Sequence, residues 1–223
     1  WENDMSIEMN SLCVGCLLGK HIDNARPLGN EQTASQFALA LMEVVGDFIR
    51  KGGNSAGIGP YINELYTRFY GLPEDRFTEE KQISNDYVLQ RLPLIRQKVT
   101  SAPDPVFAGI QHAILGNYLD FSALGKSVSF DQLDQMLEKA KDYDLDKTAY
   151  EAFCRDLKKA KNLLYITDNA GELGFDMVLA EVLQEKYPKL NITFCVRGGP
   201  AHNDATREDA EAINLPFPVI DSG

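Results

Sequence analysis

Two polar segments of the sequence contain the residue types that bind a divalent cation and a phosphate group. Residues 167–172 read Thr-Asp-Asn-Ala-Gly-Glu, and residues 197–206 read Arg-Gly-Gly-Pro-Ala-His-Asn-Asp-Ala-Thr. Mg²⁺ takes one or two carboxylates and fills its remaining positions with water and substrate phosphate. Asp168, Asn169 and Asp204 are therefore the candidate metal ligands and the candidate catalytic residues.

The same two segments contain groups suited to a phosphate anion. Arginine binds phosphate through parallel hydrogen bonds, which makes Arg197 a candidate substrate-binding residue. Free backbone amides after Asp168 are predicted to lie at a helix N-terminus, where anions are favoured. Asp and Asn after a strand also serve as plain turn and capping residues, so this alternative stays open.

Alternating strands and helices are predicted to position these two segments. The apolar runs 162–167, 191–196 and 218–220 are typical of buried strands, and helices are predicted over 172–187 and 206–213. Strands that alternate with helices indicate a parallel sheet. Ligands of such sheets bind at the carboxyl ends of the strands, where both polar segments fall.

Upstream of residue 160 the apolar spacing is helical. Helices are predicted over 33–50, 60–70, 85–99, 104–115 and 131–141. The sequence therefore predicts a helical N-terminal subdomain, residues 1–160, followed by an α/β metal-binding domain, residues 161–223. Because residues 217–223 read as a strand that runs into a loop, we expect this second domain to be incomplete at its C-terminus.

Composition narrows the class of protein. The 223 residues are 44% hydrophobic and carry a formal charge of −11, with no basic patch, which argues against nucleic-acid binding. No apolar run reaches the length of a membrane helix, and no signal-peptide pattern opens the chain. We expect a cytoplasmic protein that binds neither nucleic acid nor membranes.

Several common catalytic motifs are missing from the sequence. It contains no P-loop, no Gly-x-Gly-x-x-Gly and no Gly-x-Ser-x-Gly nucleophile elbow. Position 170 is alanine, so the Asp-x-Asp of haloacid-dehalogenase phosphatases does not follow the first predicted strand. The three histidines, His21, His112 and His202, do not have the spacing of a zinc site.

The segment Tyr165-Ile-Thr-Asp-Asn-Ala-Gly-Glu172, followed by Phe175-Asp176, resembles the signature of the metal-dependent damage-control phosphatases, long known as a domain of unknown function. Further segments are similar to the small prokaryotic branch of that family. These are Cys13-Val-Gly-Cys16, Lys81-Gln-Ile-Ser-Asn85, Asp104-Pro105, Gly116-Asn117-Tyr-Leu-Asp120 and residues 197–209.

This resemblance implies a fold, a cofactor and a reaction. The implied fold is a helical part before a three-layer α/β/α Rossmann-like domain with a mostly parallel sheet. The implied cofactor is a divalent ion (Mg, Mn, Co or Ni) on Asp168, Asn169 and Asp204. The implied reaction hydrolyses phosphate monoesters of small metabolites, either sugar phosphates or damaged phosphometabolites. A Lys-Gly loop that contacts substrate phosphate in the family has no counterpart here, so we expect weaker substrate binding.

Other residues are candidates for the wall of the pocket. Asn117 and Asp120 follow an apolar helix and are candidate substrate-binding residues, although a simple helix C-terminal turn explains them equally well. Glu172 is a further substrate-binding candidate. Either Glu172 or Asp176 is placed to orient an attacking water.

Two functions of other classes remain open. One is a Rossmann-like module that binds a nucleotide without hydrolysis, whose affinity would not respond to chelators. The other is a zinc or redox regulatory protein built on Cys13 and Cys16, with His21 as a nearby third ligand. The expected partner for the phosphatase is a small phosphorylated metabolite, and the oligomeric state is left open.

Overall fold

The computed structural model describes residues 9–54, 57–73, 75–117 and 130–222. The chain forms two compact units that divide between Arg76 and Phe77. The boundary predicted near residue 160 follows the change from helices to alternating strands and helices. The compact units divide elsewhere because the helices after Phe77 pack against the sheet.

The described residues of the first unit form three α-helices, α1 (Ser11–Ala25), α2 (Glu31–Arg50) and α3 (Gly59–Tyr70). Asn10 caps α1 and Asn30 caps α2, each by accepting hydrogen bonds from first-turn amides. Helix α3 ends at Gly71, whose φ of 67° is left-handed. The core of the unit includes Phe37, Leu41, Ile58 and Tyr66.

The second unit contains six α-helices among its described residues. They are α4 (Thr78–Thr100), α5 (Pro105–Asn117), α6 (Phe130–Lys139), α7 (Lys147–Leu157), α8 (Leu173–Lys186) and α9 (Arg207–Ala212). Helix α4 begins seven residues before its predicted start at 85. Its first turns bury Lys81, Ser84 and Asn85, and this polar buried face hides the helical spacing of apolar residues.

The predicted parallel sheet is confirmed. Strands β1 (Asn162–Ile166), β2 (Asn191–Val196) and β3 (Val219–Asp221) lie in the order 1-2-3 and all run parallel. In the register, Tyr165 pairs with Phe194, and Phe194 pairs with Val219. Helix α8 follows β1 and helix α9 follows β2, so the chain has the expected strand–helix alternation.

One face of the sheet packs on the helices. Tyr165, Phe194 and Val219 point to this face, and the rings of Tyr165 and Phe194 stack with centroids 4.8 Å apart. On the opposite face Leu164 and Ile166 are exposed, as the two-residue period of a strand requires. The described residues therefore supply a helical layer on one side of the sheet.

None of the described helices combines the length and the apolar character that crossing a lipid bilayer requires.

Candidate active site

The loops that follow β1 and β2 are joined by backbone hydrogen bonds. The amide of Ala170 donates to the carbonyl of Asn203 over 2.9 Å, and the amide of Ala205 donates to the carbonyl of Asp168 over 2.7 Å. Between these bonds, Asn169 and Asp204 form an isolated antiparallel bridge. The structure therefore brings Asp168, Asn169 and Asp204 together at the carboxyl edge of the sheet.

Arg197 contacts one of the predicted metal ligands. Its Nε donates to Asp204 Oδ2 over 2.6 Å, and the two side chains are 40% and 19% exposed. The arginine thus balances the charge of Asp204 while part of its guanidinium group faces solvent. This contact fixes Arg197 beside the predicted metal position, where its remaining donors can meet an anion.

Asn117 lies at the C-terminus of α5 and joins two acidic side chains. Its Nδ2 donates to Asp168 Oδ2 and to Glu172 Oε2, each over 3.2 Å. The close approach of α5 depends on Gly116, where an added Cβ would lie 3.1 Å from Glu172 Cγ. Asp120, the other candidate from this segment, lies outside the described residues.

The acidic residues of the site have perturbed pKa values. Burial, together with the charge of Asp168, raises the pKa of Glu172 to about 7, against the lowering effect of its hydrogen bond from Asn117. Burial raises the pKa of Asp176 well above its usual range, and the charges of Glu172 and Asp168 add to this effect. The Tyr165 hydroxyl donates to Asp176 over 2.7 Å. Carboxylates that disfavour one another's charge in this way favour a nearby cation.

The residues present fit a hard divalent ion. Two carboxylates and an amide oxygen, from Asp168, Asp204 and Asn169, match the oxygen ligands of Mg²⁺ or Mn²⁺. In the described part of the chain, no group of three His, Cys, Asp or Glu side chains is arranged to hold a metal ion. A site here therefore depends on the Asn169 amide and on water or substrate oxygens.

The backbone amides of the first loop are less available than the sequence predicts. Among the amides expected to receive phosphate, that of Ala170 donates to Asn203 and that of Glu172 donates to Asn169 over 3.1 Å. A short 3-10 turn, Ala170–Glu172, precedes α8, and the amide of Glu172 is used within it, whereas the amide of Ala170 bonds to the second loop. The expectation of free amides at these two positions is wrong, because the loop-to-loop bonds and the 3-10 turn occupy them.

The sequence did not predict the buried side chains that contact the C-terminal end of the second loop. Asp209, in the first turn of α9, pairs with Lys81 of α4 over 2.8 Å, and both side chains are buried. The side-chain Nδ2 of Asn85 donates to the same carboxylate over 2.9 Å. The sequence signals were the segments 81–85 and 197–209, which resemble the family but do not reveal that Lys81 and Asn85 contact Asp209.

The Cys-x-x-Cys lies in the first unit, within α1. Both thiols are free; Cys16 is exposed and Cys13 is partly buried. His21, the third zinc ligand considered from the sequence, is buried and its Nδ1 lies 3.2 Å from the Tyr66 hydroxyl. This arrangement does not support zinc binding through His21, since the imidazole is part of the packed interior.

Comparison with known proteins decides the family. The model of the damage-control phosphatase ARMT1-like domain matches residues 9–215. The chain belongs to this family. The damage-control phosphatase domain therefore covers both compact units and includes both loops of the site.

Relatives of this domain include archaeal proteins. A damage-control phosphatase of Archaeoglobus fulgidus is 29% identical over 210 residues, which are 94% of this chain and 71% of the relative. An uncharacterised protein of Methanocaldococcus jannaschii is 30% identical, with 94% and 69% covered. A damage-control phosphatase of Pyrococcus horikoshii is 32% identical over 153 residues, 68% of this chain and 50% of the relative.

A solved structure shares the fold. The crystal structure of a DUF89 family protein from Pyrococcus horikoshii matches with a TM-score of 0.79 at 26% identity, covering 97% of this chain and 74% of that one. The chain thus spans between half and three quarters of the length of these relatives.

Proposed function

We propose that this protein is a metal-dependent phosphatase that hydrolyses phosphate monoesters of small metabolites, including sugar phosphates or damaged phosphometabolites. The observation that supports it most is the joined pair of strand-end loops, in which Asn169 bridges to Asp204 while Asn117 connects Asp168 to Glu172. Membership of the damage-control phosphatase family supports the phosphatase reaction.

Asp168, Asn169 and Asp204 would hold the divalent ion. When bound, the ion neutralises phosphoryl oxygens and orients the attacking group. Arg197 adds a fixed positive charge next to Asp204, where it stabilises the charge on the transferring phosphoryl group.

Glu172 is the residue best suited to move a proton. Without a cation beside it, burial and the charge of Asp168 raise its pKa to about 7, and a carboxyl group with a raised pKa suits general acid–base catalysis. Asn117 holds its carboxylate through the Nδ2–Oε2 hydrogen bond. Asp176 is 2% exposed and accepts a hydrogen bond from Tyr165, so it lies in the interior and not at the surface that a substrate would contact.

The test is hydrolysis of p-nitrophenyl phosphate by residues 1–223. We expect no turnover in EDTA and recovery on addition of Mg²⁺, Mn²⁺, Co²⁺ or Ni²⁺. Asp168→Asn should lose at least about 100-fold in rate, since it removes a charged metal ligand. Glu151→Gln, at an exposed position of α7, is the matched control.

The other outcomes identify the alternatives. Turnover that survives EDTA and metal removal would contradict metal dependence. Nucleotide binding without turnover, unchanged by EDTA, would favour a binding module. Metal bound only when Cys13 and Cys16 are intact would favour the zinc or redox protein.

A further inference from the structure

We propose that the buried Lys81–Asp209 ion pair positions the second site loop, residues 197–206, and thereby Asp204 and Arg197. The inference rests on the proposed function, and it assigns Lys81, Asn85 and Asp209 as positioning residues. None of them belongs to the candidate ligand set.

The Asp209 carboxylate is fully engaged by neighbouring donors. Its Oδ2 lies 2.8 Å from Lys81 Nζ and accepts from the Thr206 amide and hydroxyl, each over 2.9 Å. Its Oδ1 accepts from Asn85 Nδ2 over 2.9 Å. Lys81 Nζ also lies 3.5 Å from Thr206 Oγ1. These contacts tie the start of α9 to the first turns of α4.

Thr206 is the last residue of the second loop, so contacts that fix the position of Thr206 also restrict the residues before it. Its neighbour Ala205 donates to the Asp168 carbonyl, and the Arg197 amide donates to the Ala205 carbonyl over 2.9 Å. Asp204 directly precedes Ala205 and forms the backbone bridge to Asn169. A displacement of Thr206 therefore moves Asp204 relative to Asp168.

Helix α9 cannot supply this rigidity alone. It spans only Arg207–Ala212, and so short a helix is marginal without tertiary contacts. The Lys81 and Asp209 side chains, 6% and 7% exposed, provide the contact.

The pair is poorly explained by stability. Desolvating two charges offsets much of their attraction, and well-packed apolar replacements are often as stable. Asn85 Oδ1 is also buried, and none of the described residues donates a hydrogen bond to it, which costs further stability. A role in fixing the position of the second site loop explains this buried ion pair better than a contribution to stability does.

The test compares a double variant with a matched control. Lys81→Met with Asp209→Asn removes both charges together but keeps an acceptor for the Thr206 amide. The control is Arg96→Met with Glu181→Gln, which removes a bidentate pair between α4 and α8 at 41% and 31% exposure. Mn²⁺ affinity is measured by the electron paramagnetic resonance signal of free Mn²⁺. Amide hydrogen exchange is followed at Arg197, Ala205 and Phe194.

We expect the double variant to weaken Mn²⁺ binding by about 10- to 100-fold, the usual effect of losing support behind a metal ligand. Exchange at Arg197 and Ala205 should accelerate, while Phe194 in β2 stays protected. The control pair should leave both readouts unchanged. Asn85→Ala keeps the ion pair and should shift both readouts in the same direction by less, which preserves the test if the double variant does not fold.

Two results would overturn the proposal. One is a folded variant with wild-type Mn²⁺ affinity and wild-type exchange at Arg197 and Ala205. The other is equal acceleration at Phe194, which would show a purely structural role. Wild-type protein that binds no Mn²⁺ would instead refute the proposed metal site, and the exchange measurement, which needs no metal, would still decide whether the pair orders the loop.

Discussion

Asn117 Nδ2 lies 3.2 Å from Asp168 Oδ2 and 3.2 Å from Glu172 Oε2, so a single amide group holds two acidic side chains that otherwise repel each other. The two carboxyl groups come from the turn after β1, whereas Asn117 comes from the end of α5. This contact joins a helix of the second unit to the carboxyl edge of its sheet.

Replacing Asn117 should impair catalysis and leave the fold intact. Asn117→Ala removes the shared donor, and we expect kcat/KM to fall about 10-fold because Glu172 loses its orientation. Asn117 is exposed, so the free energy of unfolding should change by less than about 0.5 kcal/mol. Steady-state kinetics and urea unfolding measure the two effects. Unchanged kinetics would remove Asn117 from the site.

The raised pKa of Glu172 should appear in the pH dependence of stability. The folded pKa of about 7 lies above the ordinary 4.5, so the folded state holds a proton between these values. The contribution of Glu172 to the free energy of unfolding is therefore fully present below pH 4.5 and is lost as the pH rises through about 7.

Glu172→Gln should flatten this dependence in EDTA. As the pH rises from 5 to 8, the free energy of unfolding of the variant should fall less than that of wild type, by on the order of 1–2 kcal/mol after partial solvent screening is allowed for. Thermal unfolding at pH 5, 6, 7 and 8 is the measurement. Parallel curves for the two proteins would show that the pKa of Glu172 is not raised.

Arg197 should affect metal and substrate in opposite directions. Arg197→Met removes the positive charge that lies 2.6 Å from Asp204 Oδ2, so the carboxylate becomes a stronger metal ligand. We expect Mn²⁺ affinity to rise a few-fold, while KM for a phosphate ester rises about 10-fold or more through loss of a charge-assisted contact. Arg155→Met, at an exposed position of α7, is the control. A fall in both affinities would instead indicate that Arg197 supports the loop structurally.

Replacement by alanine should change stability in opposite directions at two glycines. At Gly174, an added Cβ would lie 2.3 Å from Val88 Cγ1, where α8 packs on α4. We expect Gly174→Ala to destabilise the second unit by about 1–3 kcal/mol through overpacking. At Gly19 of α1, an added Cβ would meet no atom of the described residues within 4 Å beyond its own helix backbone and chain neighbours, so Gly19→Ala should stabilise its helix by about 0.5–1 kcal/mol. Chemical denaturation of each variant against wild type checks both signs. A Gly174→Ala variant as stable as wild type would show that α4 and α8 have room for an added methyl group.

Local sequence pattern was enough to predict the sheet and the edge of the site. Alternating strands and helices predict parallel strands, and residues that follow successive parallel strands must meet at one edge, as Asn169 and Asp204 do. The segment 165–172 also indicated the family. These features depend on spacing along the chain, which the sequence carries directly.

Contacts between distant segments were decided only by the tertiary structure. Asn117 and Glu172 are 55 residues apart, and Asn85 and Asp209 are 124 apart, so no periodicity relates them. The early start of α4 was missed for the same reason, since Lys81 and Asn85 face a buried partner rather than an apolar core. The raised pKa of Glu172 likewise depends on burial and on the charge of Asp168, and both arise only when α5, α8 and the strand ends pack together.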